Sequence, residues 1–477
     1  MRALRQLSRL LLAVVLLVVS ALLVPASAAG EELAVIVRAG SVEEAAAAVE
    51  AEGHVVVYAL PLVDAVHATV SAPAAARLAA AGLHVVPDVP VHFSSASFGD
   101  EPGGPQLEAL NLGAWWSPEA GDGVAVAIID TGVADVPALA GRVIHGADLT
   151  DEADGVDRYG HGTFMAGLIA GDGTGAAPGA VVVSVKVAGA NGETTLARVV
   201  EGIGWVVDHR EELGIRVLSL SLGVDMGPGF AADPLGWAVE QAWAAGITVV
   251  AAAGNDGDGV VTAPGRDPWV ITVGATDHRG TATTVDDTVP DWSGSGRVGP
   301  VAKPELLAPG VAVTSLRAPA STIDLAHPGA RIGDDNFRGS GTSMAAALTA
   351  GVVATLTARH PEATPDDLKT ALVVAADDVV GEIGGAVDTS EAETVDEDAV
   401  QRWREAHRAH SGDATEWQGT RWSGTRWSGT RWSGTRWSGT RWSGTRWSGT
   451  RWTGTRWTGN AWTGNAWTDA SWGDAPT

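Results

Sequence analysis

The chain has 477 residues, with 31 lysines and arginines against 57 aspartates and glutamates, a net charge of −26, and no cysteine. Such a balance excludes nucleic acid as the expected partner, because a polyanion is held by a basic footprint. The missing cysteine excludes disulfide stapling and thiolate catalysis, so stability must come from a core, which a chain of this length builds readily.

Arg2, Arg5 and Arg9 precede the apolar run Leu10 to Val24, and Ala26-Ser27-Ala28 follows. Positive charge, a short apolar run and a small-residue pattern predict a secretory signal peptide over 1–28, cut after Ala28, not a membrane anchor. No later run has spanning length, so an exported, extracellular product without a transmembrane anchor is expected. Next, strand-like Leu33 to Arg38, helix-like Val42 to Glu52, strand-like His54 to Tyr58 and helix-like Pro73 to Ala81 predict a small α+β unit.

Val124 to Ile129 is continuously apolar and stops at Asp130-Thr131-Gly132, as a buried parallel strand stops at the carboxyl edge where open α/β sheets carry their ligands. Gly160-His161-Gly162-Thr163 opens a helical stretch, Phe164 to Ala170, that places the imidazole near a helix start. Largely apolar strands at Val181 to Val187, Val217 to Leu222, Ile247 to Ala253 and Trp269 to Val273 alternate with helical Leu196 to Asp208 and Trp237 to Ala245. That alternation specifies an α/β fold, a parallel sheet flanked by helices. The third of these strands ends in Gly254-Asn255, and Gly341 to Ala346, GTSMAA, leads into a helix-forming run through Leu356.

A serine hydroxyl becomes a useful nucleophile only when a base takes its proton and donors hold the oxyanion. Asp130, His161 and Ser343 follow in that order, 31 and 182 residues apart, each at an element boundary. Singly they read as a strand cap, one of twelve histidines and a helix N-cap. Jointly, the segments AIIDTGV, GHGTFMAG and GTSMAA resemble the aspartate, histidine and serine boxes of the subtilisin-like serine proteases, over roughly Leu107 to Asp388.

The resemblance implies acyl transfer, with Ser343 attacking a peptide carbonyl, His161 shuttling the proton and Asp130 fixing the imidazole. It implies Asn255, in AAGN, as side-chain oxyanion donor beside the Ser343 backbone amide; the ordinary reading of Gly-Asn-Asp-Gly is a turn. Ser219, Leu220, Ser221, Leu222 and Gly223 resemble the stretch that pairs with an extended protein or peptide substrate. The resemblance also implies the floor of a neutral specificity pocket near Val261 to Ala263. Ala347 stands where the family usually has proline, a change that removes no chemical group. No cofactor is required; structural calcium, frequent in the family, suits the acidic loops, but no loop spacing names metal ligands. Residues 29–99 resemble the family's inhibitory, ferredoxin-like propeptide, which implies a scissile bond between Phe93 and Gly104, with Phe93 and Phe98 as candidate sites.

Residues 389–416 turn acidic and polar, with a short helix expected around Val400 to His410. Tryptophan then recurs every five residues from Trp417 to Trp472, mostly as Arg-Trp-Ser-Gly-Thr. Neither helix nor strand gathers that period on one face, so the segment reads as a flexible low-complexity tail, with a β-solenoid of stacked turns as the alternative. The tail carries eight arginines and two aspartates, and its guanidinium and indole groups suit sugars or anionic cell-wall polymers at a cell surface. The expected order is signal peptide 1–28, propeptide-like unit 29–99, peptidase domain 100–388, acidic linker 389–416 and repeat tail 417–477. The competing functional reading is a catalytically silent surface-binding protein with the protease fold as scaffold.

Overall fold

The computed structural model describes residues 32–99, 106–113, 116–225, 233–298, 301–378 and 385–387, together with short strands between 422 and 468. The expectations for 1–28 and 389–416 lie outside the described residues. The chain divides into two compact units at Asp88/Val89, so residues 89–99 group with the second.

The first unit runs β1 (Glu32–Arg38), α1 (Val42–Ala51), β2 (Val55–Leu60), β3 (Ala65–Ser71), α2 (Ala72–Ala80) and β4 (His84–Pro87). Its antiparallel sheet has the order β2-β3-β1-β4, the split βαβ arrangement. Both helices start on serine caps, Ser41 accepting from the Glu44 N–H and Ser71 from that of Ala74. Ala45 and Val49 of α1, and Ala74 and Leu78 of α2, close over Val35, Val37, Val66, Ala68 and Val70.

In the second unit, β5 (Pro90–Phe93) and β6 (Ser97–Phe98) precede β7 (Ala125–Asp130), β8 (Val143–Asp148), α3 (His161–Ala170), β9 (Val181–Lys186) and β10 (Thr194–Thr195). Next come α4 (Leu196–Leu213), β11 (Ile215–Leu220), β12 (Leu222–Gly223), α5 (Pro234–Ala244), β13 (Thr248–Ala252) and β14 (Ile271–Thr276). After a hairpin of β15 (Gly296–Val298) and β16 (Val301–Lys303) come β17 (Leu306–Pro309), β18 (Val313–Leu316), β19 (Arg331–Ile332) and β20 (Asn336–Ser340). The unit's main part closes with α6 (Thr342–Arg359), α7 (Pro365–Ala375), β21 (Asp377–Asp378) and β22 (Gly385–Ala386).

The main sheet has the order β21-β22-β17-β14-β13-β11-β7-β9-β8 and is parallel except at the β21–β22 edge. Every residue of β7, β13 and β14 is buried, as expected of strands covered on both faces. The helices extend past their sequence signals where capping decides the end. Helix α4 runs on to Leu213 and stops at Gly214, whose φ of 66° suits glycine. Helix α5 begins three residues early because Asp233 caps it and Pro234 takes the first position. Helix α6 is buried on all sides from Thr342 to Thr357, which its alanines, threonines and one glycine permit; a Cβ on Gly351 would come within 2.8 Å of Ala176 Cβ. Ala347 sits inside this continuous helix, wholly buried.

In the tail, short strands from Trp422–Gly424 to Trp467–Thr468 pair in parallel with the strand twenty residues on, Trp422 opposite Trp442 and Trp442 opposite Trp462. Four pentapeptides therefore separate each strand from its partner. Such long-range pairing is what a β-solenoid of stacked turns needs, and a five-residue period does not reveal it. The wall-polymer expectation concerns tail side chains outside the described residues.

Candidate active site

Strand ends and helix starts assemble the site. Asp130 is the last residue of β7 and 1% exposed; His161 is the first of α3 and fully buried. His161 Nδ1 lies 2.8 Å and 2.9 Å from the two Asp130 carboxylate oxygens. The helix reaches this position because a Cβ on Gly162 would collide with the Gly132 carbonyl oxygen, so glycine allows the close approach.

Asp157, which the sequence did not single out, organises this corner from a buried position. Its Oδ1 accepts from the Thr131 hydroxyl at 2.8 Å and the Gly160 N–H at 2.6 Å. Its Oδ2 accepts from the N–H and hydroxyl of Thr163, at 2.8 Å and 2.6 Å. The Thr131 hydroxyl accepts in turn from the Gly162 N–H. One carboxylate thus ties the end of β7 to the first turn of the helix that carries His161. The signal was an aspartate just ahead of a helix start, a capping pattern.

Ser343 is the second residue of α6 and fully buried. Its hydroxyl donates to the Ser221 carbonyl at 2.9 Å, while His161 Nε2 is buried with no hydrogen-bond partner. Asn255 follows the end of β13, and its Oδ1 accepts from both the N–H and the hydroxyl of Thr342, each at 3.0 Å. Those two bonds fix the side-chain amide and leave Nδ2 as its donating end.

The cleft is filled by the chain's own residues 90–98. Strand β5 lies between β10 and β12, antiparallel to both, with Val91 opposite Thr194, Phe93 opposite Leu222 and His92 opposite Gly223. The Ser94 N–H donates to the Ser221 carbonyl at 3.1 Å, and the Ser94 carbonyl accepts from the Ser343 N–H at 3.1 Å. Phe93 packs its ring on His161 with centroids 4.8 Å apart. Beyond the Ser94–Ser95 bond, the Ala96 N–H donates to Ser340, and β6 pairs with β20. The carbonyl held at Ser343 is thus that of Ser94, one residue past Phe93, because these main-chain bonds set the register.

Of the five residues expected to pair with a substrate, Ser221, Leu222 and Gly223 contact this segment. Ser219 and Leu220 stay inside the sheet, opposite Val250 and Ala251. Of the expected pocket floor, Ala263 exchanges both main-chain bonds with Val224, and Thr262 lies against Gly223 and Gly254. Among the described residues no three or more His, Asp or Glu side chains gather into a group that could hold a metal ion. No described helix is long and apolar enough to cross a membrane.

A family model, that of the subtilase family, matches residues 121–403. The chain belongs to the subtilase family. Its subtilase region is similar to serine protease AprX of Bacillus subtilis (strain 168), 42% identical over 268 residues, which are 53% of this chain and 61% of that protein. It is also similar to a thermostable alkaline protease of Halalkalibacterium halodurans, 33% identical over 255 residues, 52% of this chain and 61% of the relative. Among solved structures, fervidolysin from Fervidobacterium pennivorans, described as a keratinolytic enzyme related to subtilisin, aligns with a TM-score of 0.61 and 26% identity. That alignment covers 76% of this chain and 61% of fervidolysin. The chain spans about three fifths of the length of these curated relatives.

Proposed function

We propose that this subtilase is an exported serine endopeptidase that matures by cutting its own chain between Ser94 and Ser95. The observation that carries the reading is the bond from the Ser343 N–H to the Ser94 carbonyl, at the position where an oxyanion donor is needed. Rotation of the Ser343 side chain frees its hydroxyl from Ser221. Oγ then attacks the Ser94 carbonyl carbon as His161 Nε2 takes the proton, and Asp130 holds the ring through Nδ1. The oxyanion is held by the Ser343 N–H and Asn255 Nδ2. Collapse breaks the bond to Ser95, whose amine leaves with the proton from His161, and water hydrolyses the acyl group left on Ser343. Protein and peptide substrates would enter the same groove once the leader has gone.

A scaffold reading, in which the fold only presents the tail, draws on the Ser343 hydroxyl being bound to Ser221 and not to His161. One experiment separates the two readings: intact mass and amino-terminal sequencing of the chain beside Ser343→Ala. A new amino terminus at Ser95 in the parent and none in the variant supports the protease; no cut in the parent, with no peptide hydrolysis, supports the scaffold.

A further inference from the structure

Two walls flank the residue whose carbonyl faces Ser343. One is the Ser221-to-Val224 stretch, to which the Ser94 N–H is bonded. The other is Gly254-Asn255, tied to Thr342 through the Gly254 N–H and Asn255 Oδ1. In an extended segment side chains alternate, so with Phe93 on His161 the Ser94 side chain turns the other way, between these walls. Ser94 is only 6% exposed.

Thr262 already stands in that space. A Cβ on Gly223 would come within 2.8 Å of Thr262 Cβ, and one on Gly254 within 2.8 Å of Thr262 Oγ1. The threonine therefore touches both glycine backbones, and its N–H is bonded to Ala253 O, which fixes it there. Both walls have glycine where the threonine comes closest, so the space they open is taken by its hydroxyl and methyl groups.

We infer that Thr262 closes the pocket for the residue on the amino side of the cut, and that this protein selects small residues there, serine or alanine, over leucine or phenylalanine. The preceding position accepts a large residue, since Phe93 lies on the imidazole. A long side chain at position 94 would have to displace Thr262 or lift the strand from Ser221 and Ser343, weakening the bonds that hold its carbonyl. This inference rests on the proposed reading of the site, and its test is arranged so that either can fail alone.

The test is a double-mutant cycle on the full chain: Ser94→Leu and Thr262→Gly, singly and together, with Ser94→Ala as the small control. The rate of self-cutting at 94–95, followed by intact mass, is expected to fall at least about tenfold in Ser94→Leu, to be kept in Ser94→Ala, and to recover in Ser94→Leu/Thr262→Gly. The same cycle in a Ser343→Ala background reads Tm, with Ser94→Leu lowering it and Thr262→Gly restoring the loss. Cutting of Ser94→Leu at the parental rate, or a Tm cycle with no coupling, overturns the pocket inference. If no variant cuts but the Tm coupling appears, Thr262 closes the pocket and the protease reading falls instead.

Discussion

The N–H of Ser343 donates to the carbonyl of Ser94 at 3.1 Å, so the proposed oxyanion donor is engaged by the chain itself. Flanking bonds from Ser94 to Ser221 and from Ala96 to Ser340 hold both sides of the same peptide. A groove filled in this way is expected to exclude other ligands until residues 90–98 leave. Ser95→Pro should keep the chain uncut, since proline after the scissile carbonyl blocks productive geometry. Labelling of Ser343 by a serine-reactive fluorophosphonate, followed by mass, is expected to be at least about tenfold slower in that variant than in the cut parent. Equal labelling rates would mean that the segment does not occlude the site.

Thr342 donates twice to Asn255 Oδ1, which makes the threonine a positioning residue for the proposed oxyanion donor. Asn255→Ala is expected to lower kcat about 10²–10³-fold, the loss known for removing such a donor in a subtilisin, with KM little changed. Thr342→Val removes one of the two anchoring donors and leaves Nδ2 in place, so a smaller fall, confined to kcat, should follow. A change in KM alone for either variant would contradict the assignment.

What was legible in the sequence lay at element boundaries. Asp130, His161 and Ser343 announce themselves because an apolar strand or helix starts or stops beside each, and the covered parallel sheet follows from continuous apolar runs. Less was legible where function depends on non-local register. That Ser94 and not Phe93 faces Ser343 is set by bonds to Ser221 and Ser340, over a hundred residues away in sequence. Thr262 likewise draws its meaning from two glycines, one in β12 and one just past β13, and the tail strands from pairing twenty residues apart. Ser219 and Leu220 share one continuous run with Ser221 to Gly223, and a pattern does not mark the residue at which a strand leaves the sheet.

Asp157 accepts five hydrogen bonds from Thr131, Tyr159, Gly160 and Thr163 beside the His161 helix. Asp157→Ala leaves those buried donors unpaired, each costing about 1–3 kcal/mol. The variant should melt well below the parent and, at temperatures where it stays folded, cut itself more slowly because the first turn of α3 is no longer tied to β7. Melting by circular dichroism with self-cutting followed by mass checks both effects; a normal melt and normal rate would remove Asp157 from the site's support.

Away from the cleft, Glu305 joins two buried lysines. Its Oε1 accepts from Lys303 at 2.7 Å and Lys369 at 2.6 Å, and its Oε2 from the Thr272 N–H. Burial pulls the Lys303 ammonium down to about 8, and burial works against the Glu305 carboxylate too, but the two lysines hold it below its usual range. Glu305→Ala should destabilise by about 3–5 kcal/mol, because it strands two buried charges. Replacing Glu305 and both lysines together by apolar residues should cost less than the single change, as chemical denaturation will report.

The Asp287 carboxyl shows the opposite sign. Burial pushes it up to about 6 from an ordinary 3.8, with Asp286 and Asp277 adding to the rise, and its Oδ1 is buried without a hydrogen-bond partner. Between these two values the folded chain keeps a proton that the unfolded chain has released, so this group's contribution to stability falls as pH rises from about 4 to 6. The full shift would be about 3 kcal/mol, reduced to about 1 kcal/mol for a carboxyl that remains partly hydrated. Asp287→Asn cannot ionise. Its Tm relative to the parent should therefore rise across pH 4 to 6 and stay level above pH 7. An offset that is the same at pH 4 and pH 7 would show that the carboxyl titrates normally in the folded chain.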